Sequence, residues 1–81
     1  AELFGKKTGY CQGKGGSMHI ADVAGLHSLG ANGIVGAGIP IAAGSALVSK
    51  IKGDKHVTLC FFGDSASNQG TFHEAVNMAA A

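Results

Sequence analysis

The sequence predicts an α/β fold, in which helices flank a parallel β-sheet, and three observations lead to this prediction. Residues 57–62 read Val-Thr-Leu-Cys-Phe-Phe, a continuous apolar run typical of a strand buried on both faces. Residues 34–52 lack any turn-forming cluster, and a helix is expected from Pro40 to Lys52. The apolar run ends sharply at residues 63–65, Gly-Asp-Ser, and helical sequence follows. This order of strand, tight turn and helix is typical of open α/β sheets.

The first third of the chain is predicted to be the end of a helix followed by a long loop. Residues 2–4 stand before Gly5 as a helix end would, with glycine just beyond the last turn. Residues 9–33 contain seven of the 14 glycines without any periodicity. A loop of this length inside a compact domain is usually functional or disordered.

The central helix is predicted to run from Pro40 to Lys52, although a kinked helix that begins earlier is also compatible. Pro40 suits a first helical turn, Lys50 and Lys52 suit the negative end of the helix dipole, and Gly53 suits the position after it. Residues 23–49 contain no Asp, Glu, Lys or Arg, so a membrane span is an alternative interpretation of this stretch. Glycine and alanine dominate this stretch, which favours a helix buried in protein.

The last helix is predicted to start between Ser65 and Thr71 and to continue to the end of the chain. Residues 71–74, Thr-Phe-His-Glu, match a capping box and favour the later start. Ligands of open α/β sheets bind beyond the carboxyl ends of the strands. The turn at residues 63–70 is therefore the first place to look for chemistry.

Length and composition point to a piece of a larger protein. A chain of 81 residues buries too little surface for more than marginal stability by itself. Its first residue is not Met and it stops inside a predicted helix, so residues 1–81 are expected to be a fragment of a single domain. The net charge of +1 gives no reason to propose nucleic acid as a partner. Cys11 and Cys60 are expected to be reduced thiols in a cytoplasmic, bacterial protein, and no role is predicted for Cys11.

Asp64 is the candidate with the most specific chemistry. A carboxylate at the end of a buried strand, just before a helix, stands where phosphates and divalent cations bind. Magnesium takes one or two protein carboxylates and completes its shell with phosphate oxygens and water. The alternative is that Asp64 caps the following helix by accepting backbone N–H bonds.

Two further features have open interpretations. Residues 33–38, Gly-Ile-Val-Gly-Ala-Gly, either let a flat ligand approach the backbone or let helices pack closely. They do not match the dinucleotide-binding fingerprint. His19, on the glycine-rich loop, is either a proton carrier near a charged cofactor or a solvated loop residue.

Three motifs together resemble the alpha subunit of the thiamine-diphosphate-dependent first component of pyruvate-type 2-oxo acid and acetoin dehydrogenase complexes. The motifs are residues 13–19 (Gly-Lys-Gly-Gly-Ser-Met-His), residues 32–36 (Asn-Gly-Ile-Val-Gly) and residues 62–70 (Phe-Gly-Asp-Ser-Ala-Ser-Asn-Gln-Gly). Their order and intervals fit the family over essentially the whole chain. The resemblance implies a thiamine-diphosphate-binding fold that is incomplete in this chain.

The members of this family are oxidoreductases, and the resemblance implies the same chemistry for the parent protein. Pyruvate, another 2-oxo acid or acetoin is cleaved, and the acyl or aldehyde unit passes to a lipoyl carrier. The implied cofactors are thiamine diphosphate and Mg²⁺. The implied partners are the beta subunit, in a heterotetramer, and a lipoyl-bearing acyltransferase component. Neither nucleic acid nor membrane is expected as a partner, and the opposing class is a small Gly/Ala-rich membrane or interaction protein without catalysis.

The resemblance also assigns roles to particular positions. Asp64 matches the aspartate that ligates magnesium, and Ser65 and Ala66 match positions whose backbone N–H groups meet the diphosphate. Gly33 and Val35 match positions whose backbone meets the aminopyrimidine ring. His19 matches a loop residue near the entrance of the active site, and no catalytic role is assigned to it.

One departure from the family pattern affects the cofactor motif. The family has a second glycine where this chain has Ser65, which costs on the order of 1 kcal/mol if the position needs a positive φ and nothing if it does not. The family's remaining metal ligands are expected downstream of Ala81. The pair that holds the diphosphate is expected upstream of residue 1.

Overall fold

The computed structural model describes residues 1–81 and consists of helices and turns. Its α-helices are α1 (Val23–Leu26), α2 (Gly38–Lys52) and α3 (Gly70–Ala80), with short 3-10 helices at Glu2–Phe4, Ser17–His19 and Asp64–Asn68. The chain forms two compact units, Ala1–Gly33 and Ile34–Ala81.

The predicted loop of the first unit folds around the carboxylate of Glu2. Its Oε2 accepts the N–H groups of Gly13 and Cys11, both at 2.9 Å, and its Oε1 accepts that of Gly16 at 3.0 Å. These backbone donors, Gly13 foremost, hold the pKa of Glu2 below its usual range against the opposing effect of desolvation. Glu2 is 5% exposed. The loop is thus organised around one acidic side chain.

Asp22 fixes the second half of the same unit. Its carboxylate caps α1 by accepting the N–H of Gly25 at 2.7 Å and also accepts the hydroxyl of Tyr10 at 3.0 Å. Both bonds keep the pKa of Asp22 below its usual range. Its backbone pairs with Ser28 in an isolated antiparallel bridge, the one β-type pairing in the chain.

Helix α2 confirms the predicted central helix and begins two residues before Pro40. Pro40 lies in the first turn, where its missing N–H costs no intrahelical bond. Gly53 ends the helix with φ 72°, its N–H donates to the carbonyl of Lys50, and that of Asp54 donates to Ser49. The helix has 15 residues, and no helix in the chain has the length and apolar character needed to cross a membrane.

Helix α3 confirms the later of the predicted starts, but the predicted capping box is wrong. The helix begins at Gly70, and the residue before it, Gln69, makes no side-chain cap bond. Thr71 therefore lies inside the first turn, where its hydroxyl donates to Gln69 Oε1 at 3.4 Å.

The predicted buried strand at residues 57–62 is not formed, and with it the parallel sheet is absent from this chain. A strand needs a neighbour for its N–H and C=O groups, and no other segment of the 81 residues supplies one. Val57, Leu59 and Phe61 are 84%, 76% and 92% exposed, whereas Thr58 and Cys60 between them are half-buried. This alternation has the period of an extended chain with one covered face.

The core of the second unit is small and lies between α2, α3 and the turn that precedes α3. Ile39, Ala66 and Ala75 are buried, and Ala43, Cys60 and Phe72 pack around them. The rings of Phe62 and Phe72 are tilted at 5.9 Å between centroids. The core therefore holds the turn at Asp64–Asn68 in place.

Candidate functional site

The turn at Asp64–Asn68 is fixed by a buried side chain and by its own hydrogen bonds. Ala66 is 3% exposed, in contact with the core, and its N–H donates to the carbonyl of Gly63 at 3.1 Å. The hydroxyl of Ser67 donates to the carbonyl of Asp64 at 2.5 Å. Asp64 and Ser65 are left exposed to solvent. The turn thus presents one carboxylate on a scaffold whose position is set by a buried alanine.

The carboxylate of Asp64 is not used as a helix cap. The short helix begins after Gly63 without a side-chain cap bond, and α3 begins after Gln69, also without one. No cluster of three or more His, Cys, Asp or Glu side chains is present. One exposed carboxylate suits magnesium, which takes few protein ligands and fills its shell with phosphate oxygens and water. The donor chemistry of Asp64 therefore fits the expected metal.

Ser65 adopts its position without left-handed strain. The non-glycine residues with positive φ are Gln12 and His27, so Ser65 is not among them. Ser65 therefore carries no penalty of backbone strain relative to glycine, because that penalty applies only to a positive φ.

The two residues predicted to donate backbone N–H groups to the diphosphate, Ser65 and Ala66, differ in the hydrogen bonding of those groups in the structure. The N–H of Ala66 is engaged by Gly63, as described above, so a phosphate oxygen would have to share or replace that bond. Ser65 is exposed at the first turn of the short helix, where N–H groups lack intrahelical partners.

Val35 lies in a hydrogen-bonded β-turn that leads into α2. The N–H of Ala37 donates to the carbonyl of Ile34 at 3.1 Å, and Gly36 takes the third position with φ 87°. A type II turn requires a positive φ at that position. We refer to residues 34–37 as the Gly36 turn. It holds the exposed Val35 at its second position.

The glycines of residues 33–38 differ in their surroundings. A Cβ at Gly38 would lie 3.5 Å from the sulfur of Cys60, an ordinary contact distance to a residue outside the helices. Gly33, the last residue of the first unit, has no atom within 4 Å of the position a Cβ would take, which leaves its backbone approachable.

A contact that the sequence analysis missed joins the Gly36 turn to the start of α3. Gly36 is buried, and a Cβ there would clash with Oε1 of Gln69 and lie 2.9 Å from Oγ1 of Thr71. No local sequence pattern predicts this contact, because Gly36 and Gln69 are far apart in sequence and Gln69 has the features of an ordinary turn residue.

His19 and Cys11 lie in the first unit. His19 is exposed at the end of the short helix Ser17–His19, and its N–H donates to Gly16 at 3.3 Å. Cys11 is a free, half-buried thiol whose N–H is bound by Glu2. The sequence indicated Glu2 only as part of a helix end, although an acidic residue near a glycine-rich loop could have indicated an anchor for that loop.

Comparison with known proteins gives a consistent result over the whole chain. The family described as "Dehydrogenase E1 component" matches residues 1–81. The chain is 65% identical over 80 residues to the alpha subunit of acetoin:2,6-dichlorophenolindophenol oxidoreductase of Bacillus subtilis, covering 99% of this chain and 24% of that protein. It is 50% identical over 80 residues to the pyruvate dehydrogenase E1 alpha subunit of Rickettsia bellii, with coverages of 99% and 24%.

A mitochondrial relative is similar to the same degree. The somatic form of the human pyruvate dehydrogenase E1 alpha subunit is 51% identical over 80 residues, covering 99% of this chain and 20% of that protein. The chain thus spans about a quarter of the length of the first two relatives and a fifth of the third.

Proposed function

The chain belongs to the dehydrogenase E1 component family, and on that premise we propose that it forms part of the diphosphate and magnesium site of a thiamine-diphosphate-dependent dehydrogenase alpha subunit. The parent protein cleaves acetoin or a 2-oxo acid and delivers the aldehyde or acyl unit to a lipoyl carrier. The observation that carries the proposal is the exposed carboxylate of Asp64, which caps no helix and is placed by the buried Ala66.

The residues of this chain bind and orient the cofactor. Thiamine diphosphate, when bound, supplies the electron sink for the cleavage. Asp64 would ligate Mg²⁺, and Ser65 and Ala66 would offer backbone N–H groups to the diphosphate, Ala66 at the expense of its bond to Gly63. Gly33 and Val35 would offer backbone to the aminopyrimidine ring, for which the open approach to Gly33 and the exposure of Val35 are the support.

The α/β fold belongs to the parent protein in this proposal. Residues 57–61 alternate between exposed and half-buried side chains, which is the exposure expected of a strand with one side covered and the other open to further structure. The beta subunit and a lipoyl-bearing acyltransferase are the proposed partners. Both cysteines are free thiols, in keeping with a cytoplasmic bacterial enzyme.

Acetoin is the first substrate to test. The identity is 65% to the acetoin oxidoreductase alpha subunit of Bacillus subtilis, against 50% and 51% to the two pyruvate dehydrogenase alpha subunits. Pyruvate is the second candidate, and branched-chain 2-oxo acids are the third.

The test uses the full-length alpha subunit assembled with its beta subunit. After EDTA treatment and dialysis we expect turnover of acetoin, with an artificial electron acceptor, to require both Mg²⁺ and thiamine diphosphate. Pyruvate and a branched-chain 2-oxo acid are measured in parallel, and a higher kcat/KM for either would revise the substrate. Turnover that survives the loss of thiamine diphosphate would refute the proposed function.

A further inference from the structure

We propose that Gln69 is a positioning residue that couples the Gly36 turn to the turn carrying Asp64. This inference rests on the proposed function, in which the two turns meet different parts of one cofactor. Gln69 then fixes the separation of Val35 and Asp64.

The end of the Gln69 side chain lies directly against Gly36 of the Gly36 turn. Gly36 is buried with φ 87°, and a methyl group there would overlap Oε1 of Gln69 and crowd Oγ1 of Thr71 at 2.9 Å. The Thr71 hydroxyl also donates to Gln69 Oε1 at 3.4 Å. The positive φ of Gly36 favours glycine, and a Cβ there would in addition require the end of the Gln69 side chain to move.

The backbone of Gln69 is bound on both sides of this contact. Its N–H donates to the carbonyl of Ala66 at 3.2 Å, and its carbonyl accepts the N–H of Phe72 at 3.1 Å. One residue therefore links the Asp64 turn, the first turn of α3 and, through its side chain, the Gly36 turn. A shift of the Gly36 turn must move Gln69 or break this linkage.

The side chain of Gln69 has no competing role as a cap. Gln69 occupies the capping position of α3, but its side chain makes no cap bond and lies against Gly36 instead. The first N–H groups of α3 thus forgo a side-chain acceptor while the amide is used for the contact between turns.

The first experiment measures thiamine diphosphate affinity in the assembled full-length enzyme at fixed Mg²⁺. We expect Gly36→Ala to raise the Kd roughly tenfold or more, and Gln69→Ala to raise it several-fold, equivalent to about 1 kcal/mol. Gly53→Ala is the matched control, because Gly53 also has a positive φ, 72°, but no atom within 4 Å of its Cβ position. It should lose stability without changing the Kd.

The double variant decides whether the two residues act through one contact. Removing the Gln69 side chain makes room for the methyl group, so Gly36→Ala with Gln69→Ala should weaken binding no more than the worse single change. Losses that multiply would show two independent effects and would overturn the proposal. Equal losses from Gly53→Ala would overturn it too, since backbone strain alone would then account for the result.

A cofactor-free measurement separates this proposal from the proposed function. In the unloaded protein, Gln69→Ala should speed hydrogen exchange at the amides of Ala66 and Ala37, one in each turn, and Gly44→Ala in α2 should not. Gly44 has open space at its Cβ position and serves as a second control. Unchanged exchange at both amides would refute the coupling, whereas a wild-type protein that binds no thiamine diphosphate would refute only the function.

Discussion

Ser65 stands where the related enzymes are expected to have glycine, and its cost depends on a single backbone angle. Because Ser65 lacks a positive φ, we expect Ser65→Gly to leave the Kd of thiamine diphosphate within about twofold. The added chain freedom should lower the free energy of unfolding by about 0.5–1 kcal/mol. Urea denaturation and cofactor titration of the full-length protein measure both. A glycine variant that binds the cofactor tenfold more tightly would show that Ser65 does impair the site.

Glu2 allows a prediction about pH, because the three backbone N–H groups that its two carboxylate oxygens accept bind the ionised form more strongly than the protonated form. Its pKa is lowered in the folded protein, so its contribution is present above the ordinary glutamate pKa and lost as the pH falls through the lowered value. Glu2→Gln should lower the Tm by several degrees at neutral pH, and the difference should shrink in acid. Glu74→Gln, at an exposed position of α3, is the control. A gap between Glu2→Gln and wild type that stays constant with pH would contradict this role.

Helix α2 and residues 57–62 show which elements can be predicted from the sequence. The signals for α2 are local, since Pro40 near the start and Gly53 after the end act through neighbouring backbone. A strand is stabilised by partners far away in sequence, so the apolar run could indicate an extended segment but not its pairing. The candidate site follows the same division. That Asp64 lies in a turn before a helix was predictable from its neighbours, whereas the strand expected before it is not formed and the contact of Gln69 with Gly36 depends on packing.

The turn before α3 gives a prediction at the level of an element. Ala66 has no room to grow between Ile39 and Ala75, so Ala66→Leu should reduce the free energy of unfolding by about 1–3 kcal/mol through overpacking. The displaced turn should also bind thiamine diphosphate more weakly. Ala24→Leu, at an exposed position of α1, should change stability by less than about 0.5 kcal/mol. Urea denaturation of the full-length protein compares the two, and equal effects would contradict the buried role of Ala66.

At the scale of the whole molecule, the 81 residues bury too little apolar surface to be stable by themselves. Their core contains three buried hydrophobic side chains, and Val57, Leu59 and Phe61 are exposed. We therefore expect the isolated chain to show no cooperative melt by circular dichroism and no activity. In the full-length protein the amides of residues 57–62 should exchange slowly, because a parallel sheet would protect them. Rapid exchange there would contradict the proposed strand, and a cooperative melt of the isolated chain would contradict its dependence on the remainder.

The role of Asp64 is the central claim, and one titration tests it most directly. Thiamine diphosphate is titrated at fixed Mg²⁺ into the assembled wild-type enzyme, Asp64→Asn and the control Asp54→Asn, which changes another exposed aspartate. Asn keeps the shape but removes the charge that faces the metal, so we predict roughly ten- to a thousandfold weaker binding for Asp64→Asn. Asp54→Asn should bind as wild type does. Unchanged affinity in Asp64→Asn would contradict the account, since Asn replaces Asp without loss only where the carboxylate has no metal to bind.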